Sequence, residues 1–392
     1  MPSALLVDTN FSSWPILQAL EVQGIDVHVV GANPTDALAK AHARYHVLDY
    51  SDAGALGRLA DHLNPDYLVP GCNDRSYAAC AALARETGRP GLDSPDTTDT
   101  INHKALFSAA AARHGLAIPR VWDWPREQPE GAVFVKPVDA FSGKGVTLVQ
   151  EVGSASLRAA AERAVAASPS GQCIVEEFVE GQMYSHSAFL ERGRIVQDFW
   201  VIEHSSVNPF VVDTSHLALD LDPAVQAELR AGVERLSAGL GLVDGLLHTQ
   251  FIVAGRRHVI VEATRRCPGD LYSQLVQLSA GFDYPAAYAA PFIGCRIDCT
   301  QPKPEAQRFI MRHTLTGNQF MRLQHLQFDA SVRIARWVPL AASGDLLRPS
   351  PLGRIAILFA EADSREDLTR LAAQTTARRL FQVNPGGPHA AH

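Results

Sequence analysis

The chain has 392 residues, 46% of them hydrophobic and 20% charged, which is enough apolar material for a large core and for two or three domains. Its 35 basic against 42 acidic residues give a formal net charge of −7, so no global basic field invites nucleic acid, although local Arg and Lys clusters remain able to bind a small anion. Six cysteines (Cys72, Cys80, Cys173, Cys267, Cys295 and Cys299) form no CxxC pair, no secretory apolar stretch follows Met1, and no apolar run is long enough to span a bilayer. The expectation is a reduced, soluble, cytoplasmic protein without a membrane partner.

In chain order, short apolar runs alternate with amphipathic stretches through residue 88. SALLVD reads as a strand, SWPILQALEVQG as a helix closed by Gly24, and IDVHVVG as a second strand. HVLDY, a helix over GALGRLADHL, strand DYLVPG and helix DRSYAACAALARETG follow, and this βαβ alternation predicts a small parallel sheet with helices on both faces. The first turn, DTNFSS, lacks the GxGxxG that lets a backbone close on a pyrophosphate, so no dinucleotide site is expected there. PGLDSPDTTDT reads as a loop and marks the first boundary, with Thr98, Asp99 or Thr100 capping a helix over INHKALFSAAAARHG that ends at Gly115.

LAIPRVWDWPREQPEG reads as a Pro-broken linker, followed by strand AVFVKPV, turn DAFSGKG, strand VTLVQE, an Ala-rich helix and strand QCIVEEFVEG. A β-rich stretch, MYSHSAFLERGRIVQDFWVIEH, turns at Glu191 to Arg194. Helix AVQAELRAGVERLSAGLG leads to a hairpin, HTQFIVA and HVIVEAT, around GRR. Beyond about residue 300 the pattern is mixed and ends in strand RIAILFAE, a helix from SREDLTRLAAQTTARR, and LFQV.

Three motifs carry chemistry. In FVKPVDAFSGKGV, Lys136 ends a buried strand, where an ammonium needs a partner. The Gly/Ser-rich turn after it offers backbone N–H groups to an anion, with Lys144 in its middle, but its spacing is not GxxxxGK[ST]; the alternative is a hairpin whose glycines serve only the turn. In IVEEFVEG, Glu176, Glu177 and Val179 lie along an extended edge able to read an adenine rim, against the alternative of an exposed acidic strand. In the hairpin, Gln250 and Glu262 sit on adjacent strands and can meet on one face, with Thr264 and Arg266 in phase with Glu262. Oxygen donors of this kind suit Mg²⁺, and Arg266 could neutralise a transferring phosphoryl group, while Arg265 points to the other face and reads as structural. The alternative is a surface hairpin with a salt bridge worth little.

Taken together and in this order, with Lys104 in NHKALF before them, these motifs resemble the ATP-grasp superfamily, and HTQF followed by VEATRR is closest to its carbamoyl-phosphate-synthetase and biotin-carboxylase branch. The resemblance implies an α/β and α+β chain, an ATP-grasp fold preceded by a Rossmann-like parallel-sheet domain. It divides the chain into residues 1–95, an ATP-grasp domain over 96–300 with a mobile lid at about 131–181, and a C-terminal α+β segment over 301–392 that completes the ATP-grasp region. It implies ATP and Mg²⁺ (or Mn²⁺) as cofactors. ATP would be bound by Lys104, Lys136, Ser142, Gly143, Gly145, Glu176, Glu177 and Val179, the metal by Gln250, Glu262 and Thr264, and Arg266 and Lys144 would act on the transferred phosphoryl group.

The reaction implied is activation of a small-molecule carboxylate as an acyl phosphate and its capture by an amine, with release of ADP and phosphate. His204, His216 and Asp270 fall where members bind the acceptor, and a homodimer is compatible with the pattern. Two departures stand out: Met183 occupies a position often held by an acid for the ribose, and Thr264 replaces the usual Asn. A biotin-carboxylase-like enzyme and a non-catalytic ATP-binding module are the competing expectations.

Overall fold

A computed structural model describes all residues except 141–142, 152, 301–307, 329–331 and 386–392, with the side chains of 85–87 and 154 also outside the description. The chain begins as the alternation predicts: β1 (Ser3–Val7), α1 (Trp14–Val22), β2 (Asp26–Gly31), α2 (Ala37–Ala41), β3 (Tyr45–Val47), α3 (Ala53–Leu63), β4 (Tyr67–Pro70) and α4 (Asp74–Thr87). The four strands pair in parallel in the order β3-β2-β1-β4. Residues 4–7 of β1 are fully buried, as a strand covered on both faces requires.

The stretch expected to be a loop is α5 (Pro95–Asn102) instead. Ser94 accepts the Thr97 N–H at 3.1 Å, Pro95 opens the first turn and Asp96 sits in it, a set of helix-start signals that outweighs the Pro/Asp/Thr composition. Thr98 therefore lies buried inside a helix rather than capping one. The backbone breaks at His103 (φ −90, ψ 112), whose ring accepts the Leu106 N–H, and α6 (Lys104–Arg113) begins with the lysine.

The chain then forms β5 (Val121–Trp122), β6 (Val133–Pro137), β7 (Thr147–Val149), α7 (Ser154–Ala167) and β8 (Cys173–Glu177). These strands order as β5-β8-β6-β7, so part of the predicted linker joins the sheet. Their core is their own: Trp122, Val133, Val135, Val149 and Val175 pack on Leu157, Ala160 and Ala164 of the Ala-rich helix.

The rest comprises β9 (Gln182–Glu191), β10 (Arg194–His204), β11 (Thr214–Leu217), α8 (Pro223–Leu240), β12 (Gly245–Ala254), β13 (Arg257–Thr264), α9 (Tyr272–Ala280), α10 (Tyr284–Ala289), β14 (Phe309–Thr316), β15 (Met321–Phe328), β16 (Arg333–Pro339), β17 (Leu346–Leu347), β18 (Arg354–Ala362), α11 (Arg365–Thr376) and β19 (Phe381–Pro385). Two compact units emerge, cut differently from the three expected segments. The first is Met1–Phe199, Leu221–Ser273 and Asp283–Gln301; the second is Trp200–Asp220, Gln274–Phe282 and Pro302–His392.

In the first unit, β13, β12 and β9 lie side by side and antiparallel. In the second, β11-β14-β18-β16 and the small sheet β17-β15-β19 enclose a core of Met311, Leu315, Leu323, Leu358, Leu368 and Phe381. Among the described residues no helix is long and apolar enough to cross a membrane.

Candidate functional site

Strand alternation on β6 sends Val133 and Val135 into the core under α7 and turns Phe134 and Lys136 to the opposite face. The Lys136 ammonium finds the partner its position demands: Glu176 Oε2 at 2.6 Å, with side chains only 15% and 4% exposed. It also lies 5.2 Å from the centroid of the Phe134 ring. The Glu176 carboxylate, expected to take an adenine amino group, is thus engaged by Lys136. That of Glu177 is held bidentately by Arg257 at 2.5 and 2.7 Å and accepts the Arg120 N–H, which keeps its carboxyl below the usual range. Nor is this stretch an exposed edge: β8 lies between β5 and β6, and the Glu177 and Phe178 N–H groups donate to the Arg120 and Ala132 carbonyls. Val179 is buried against Ile252 and Val259, with Met183 and Val261 beside them, a small apolar cluster.

The β12–β13 hairpin brings the expected metal pair together. Gln250 is the register partner of Glu262, and the β-bulge falls between Gln250 and Phe251, so the ladder is interrupted beside this pair. Bulges re-aim side chains, and they recur next to active sites. Across the other edge of β12, Ser185 faces Gln250, and Ser187 faces His248. Two polar rows therefore cross three strands: Ser185–Gln250–Glu262, and Ser187–His248–Thr264.

Lys104 opens α6, and its ammonium donates to the Ala140 carbonyl at 2.8 Å while its backbone N–H donates to Val138. Burial lowers its pKa, countered chiefly by the Glu262 carboxylate; Lys136 lowers it further, and Glu176 and Asp74 oppose that. Lys104, Lys136, Glu176, Glu262 and Asp74 thus share one electrostatic neighbourhood although they come from five different elements.

Arg266 and Thr264 meet a residue that the sequence reading did not single out. Asp74, at the start of α4, accepts from the Thr264 hydroxyl at 2.6 Å and from Arg266 Nε and Nη2 at 3.2 and 3.3 Å. Thr264 Oγ1 also accepts the Arg266 N–H at 3.3 Å, so the hydroxyl that the resemblance assigns to the metal is engaged with both Asp74 and Arg266. Burial opposes the charge on Arg266, but Asp74 first and Glu262 after it hold its pKa above normal. An acid in the first turn of a helix usually reads as a dipole partner, so no local signal marks Asp74.

Arg265, on the opposite face, is fully enclosed: Nε meets Asp93 at 2.6 Å, and the two Nη groups donate to Leu246 and Val243 carbonyls at 2.7 Å. Asp93, also missed, is the buried acid such an arginine requires.

In the lid turn, Gly143 and Gly145 adopt φ of +70 and +75. A Cβ on Gly145 would stand 2.5 Å from the Ala167 Cβ, so this position needs glycine for both reasons. Asp139 pins the start of the turn by accepting from the Ser168 hydroxyl and the Ser170 N–H. Lys144 is exposed. Ser142 lies outside the described residues.

Of the expected acceptor residues, His204 and His216 belong to the second unit, with ring centroids 5.8 Å apart. Burial depresses both, His216 to about 4. Asp270, in the first unit, has φ +53, and Leu271 follows at +56; the Asp270 N–H donates to Ser12 Oγ at 2.9 Å. Two consecutive non-glycine residues in the left-handed region mark a strained turn directly after Arg266, Cys267, Pro268 and Gly269.

Among the described residues no three His, Cys, Asp or Glu side chains converge as a metal cage. One carboxylate and one amide are instead the sparse oxygen set that suits Mg²⁺ arriving with phosphate oxygens.

Over nearly its whole length the chain shares its fold with known ligases and carboxylases. It is similar to the L-amino acid ligase from Bacillus licheniformis (TM-score 0.78, 14% identity, 99% of each chain covered). It is likewise similar to the biotin carboxylase domain of 2-oxoglutarate carboxylase from Hydrogenobacter thermophilus, solved with MgADP and bicarbonate (TM-score 0.74, 15% identity, 98% of this chain and 90% of that one). In sequence it is 24% identical over 278 residues to the carbamoyl phosphate synthase large chain of Methanoculleus marisnigri, a match covering 64% of this chain and 25% of that one. No protein-family model matches. The chain spans less than half the length of the curated relatives it matches. Its fold is the one these ligases and carboxylases share, the ATP-grasp fold that the motif resemblance implies.

Proposed function

We propose that the protein is an ADP-forming ligase that activates a small-molecule carboxylate as an acyl phosphate and joins it to an amine. The observation that carries this reading is the Gln250–Glu262 register pair, whose carboxylate acts on both Lys104 and Arg266, with Lys136 in turn acting on Lys104. Lys104 and Lys136 bind and orient the phosphates of ATP, and Arg266 faces the charge that builds on the γ-phosphoryl group as an acceptor carboxylate oxygen attacks it. Gln250 and Glu262 would hold Mg²⁺, which when bound neutralises phosphate charge. The glycines of the lid turn allow its backbone to approach the phosphates, and the lid's own core lets it move as a piece to exclude water from the intermediate. The amine then bonds to the acyl carbon as the C–O bond to phosphate breaks, and the proton lost by the nitrogen leaves with the products. The apolar cluster of Val179, Ile252 and Val259 is suited to an adenine face.

The test is ADP release, screened over amino acids, hydroxy acids and sugar acids crossed with amines and ammonia. ADP and phosphate are expected only when acid, amine, ATP and Mg²⁺ are all present, and Glu262→Gln should abolish the signal. Nucleotide binding without ADP release for any pair would refute catalysis and leave a binding module. Bicarbonate-dependent ADP release would instead support the carboxylase-like reading.

A further inference from the structure

We propose that Asp74 is a positioning residue for catalysis, which with Thr264 forms a clamp that sets the orientation of Arg266 toward the transferred phosphoryl group. The inference rests on the ligase reading and assigns a role to a residue from the N-terminal Rossmann-like portion of the chain. Three observations carry it.

Asp74 is not the cap of its own helix. Asn73 caps α4 by accepting the Ser76 N–H at 2.9 Å, leaving the Asp74 carboxylate for partners about 190 residues away. Its contacts form a closed set: Oδ1 takes the Thr264 hydroxyl and Arg266 Nε, Oδ2 takes Arg266 Nη2, and the Thr264 oxygen takes the Arg266 N–H. The guanidinium is thereby fixed along its Nε–Nη2 edge, while Nη1 makes a 3.5 Å contact to the Cys267 carbonyl, and the Glu262 carboxylate lies near enough to stabilise the charge. A planar fork held on one edge presents its remaining donors in a defined direction, which a flexible arginine does not.

The clamp also accounts for the departure at Thr264. Where the resemblance calls for Asn, a β-branched hydroxyl with a single stiff side-chain torsion delivers one short bond to Asp74. Stability alone is a weak reason for such an arrangement: the Asp74 and Arg266 side chains are 14% and 21% exposed, and ion pairs in such surroundings gain little net energy over apolar substitutes. Geometric specificity is the better-founded reason.

The test is a mutant cycle on the acid and amine pair found in the ADP-release screen, with thermal unfolding and Mg-ATP binding measured beside turnover. Asp74→Asn, which keeps size and shape, should lower kcat roughly 10- to 100-fold while the KM for ATP moves less than about threefold. In an Arg266→Ala background, Asp74→Asn should cause no further loss, because two residues acting through one group are not additive. Asp74→Glu, which keeps the charge but displaces the guanidinium, should also lose kcat and provides the measurement should the Asn variant fold poorly. Multiplicative losses in the double variant, or wild-type turnover in the Glu or Asn variant, would overturn the clamp and leave the ligase reading standing. An Arg266→Ala variant with full activity would overturn the clamp and the role of Arg266, whereas no ADP release from any acid and amine pair would overturn the ligase reading.

Discussion

The pair Lys136–Glu176 allows a prediction in which stability and catalysis separate. Replacing Lys136 by Met keeps the stem but leaves the Glu176 carboxylate, 4% exposed, without the ammonium 2.6 Å away. Breaking a buried pair from one side costs about 3–5 kcal/mol, because the remaining charge has lost its compensation. That is a large fraction of the roughly 5–15 kcal/mol that holds a typical domain together, so the single variant should unfold at markedly lower urea. Glu176→Gln leaves a lysine that is 15% exposed and able to reach water, and should cost less, on the order of 1–3 kcal/mol. The double variant Lys136→Met/Glu176→Gln carries no unpaired charge and should recover to within about 1 kcal/mol of wild type, a coupling of at least about 3 kcal/mol. Its activity should not recover, since the ammonium proposed to bind phosphate is gone. Urea titration of the four proteins, beside Mg-ATP binding, provides the check. Strictly additive destabilisation would refute the pairing argument, and a fully active double variant would remove Lys136 from the nucleotide site.

The two neighbouring arginines should respond in opposite ways. Arg265→Ala strands Asp93 in a site where both side chains are about 1–2% exposed, so it should destabilise the fold by about 3–5 kcal/mol in urea, whereas Arg266→Ala should reduce turnover far more than stability. Equal losses of activity per folded molecule would contradict the strand phasing. Acid stability offers a further check at Asp198. Burial alone would raise its carboxyl, but hydrogen bonds from His186 and Arg230 hold it at about 2. With the folded pKa depressed from 3.8, the stabilisation is present above about pH 4 and lost as pH falls toward 2, and it amounts to about 2 kcal/mol at neutral pH. Asp198→Asn should remove that amount and flatten the acid limb of unfolding between pH 4 and 2; an unchanged acid limb would show that the bonds do not hold in solution.

Where a property is local and periodic, the sequence by itself determined it. The βαβ start, the hairpin that brings Gln250 opposite Glu262, the phase separating Arg265 from Arg266 and the glycines of the lid turn all follow from alternation, turn chemistry and residue type. One local misreading, PDTTDT as a loop, came from weighing composition above the Ser94–Pro95–Asp96 helix start. Only the tertiary structure decided the partners. Lys136 needed an acid, and Glu176 and Glu177 looked equally available, but strand alternation puts Glu176 on the Lys136 face, and Glu177 bonds to Arg257 on β13, a strand of another sheet. Thr264 reads in the sequence as a metal ligand, and nothing there shows that Asp74, 190 residues earlier, engages its hydroxyl. Burial of a charge states in the sequence that a counter-charge must exist; which residue supplies it depends on how distant segments pack, and no local spacing encodes that.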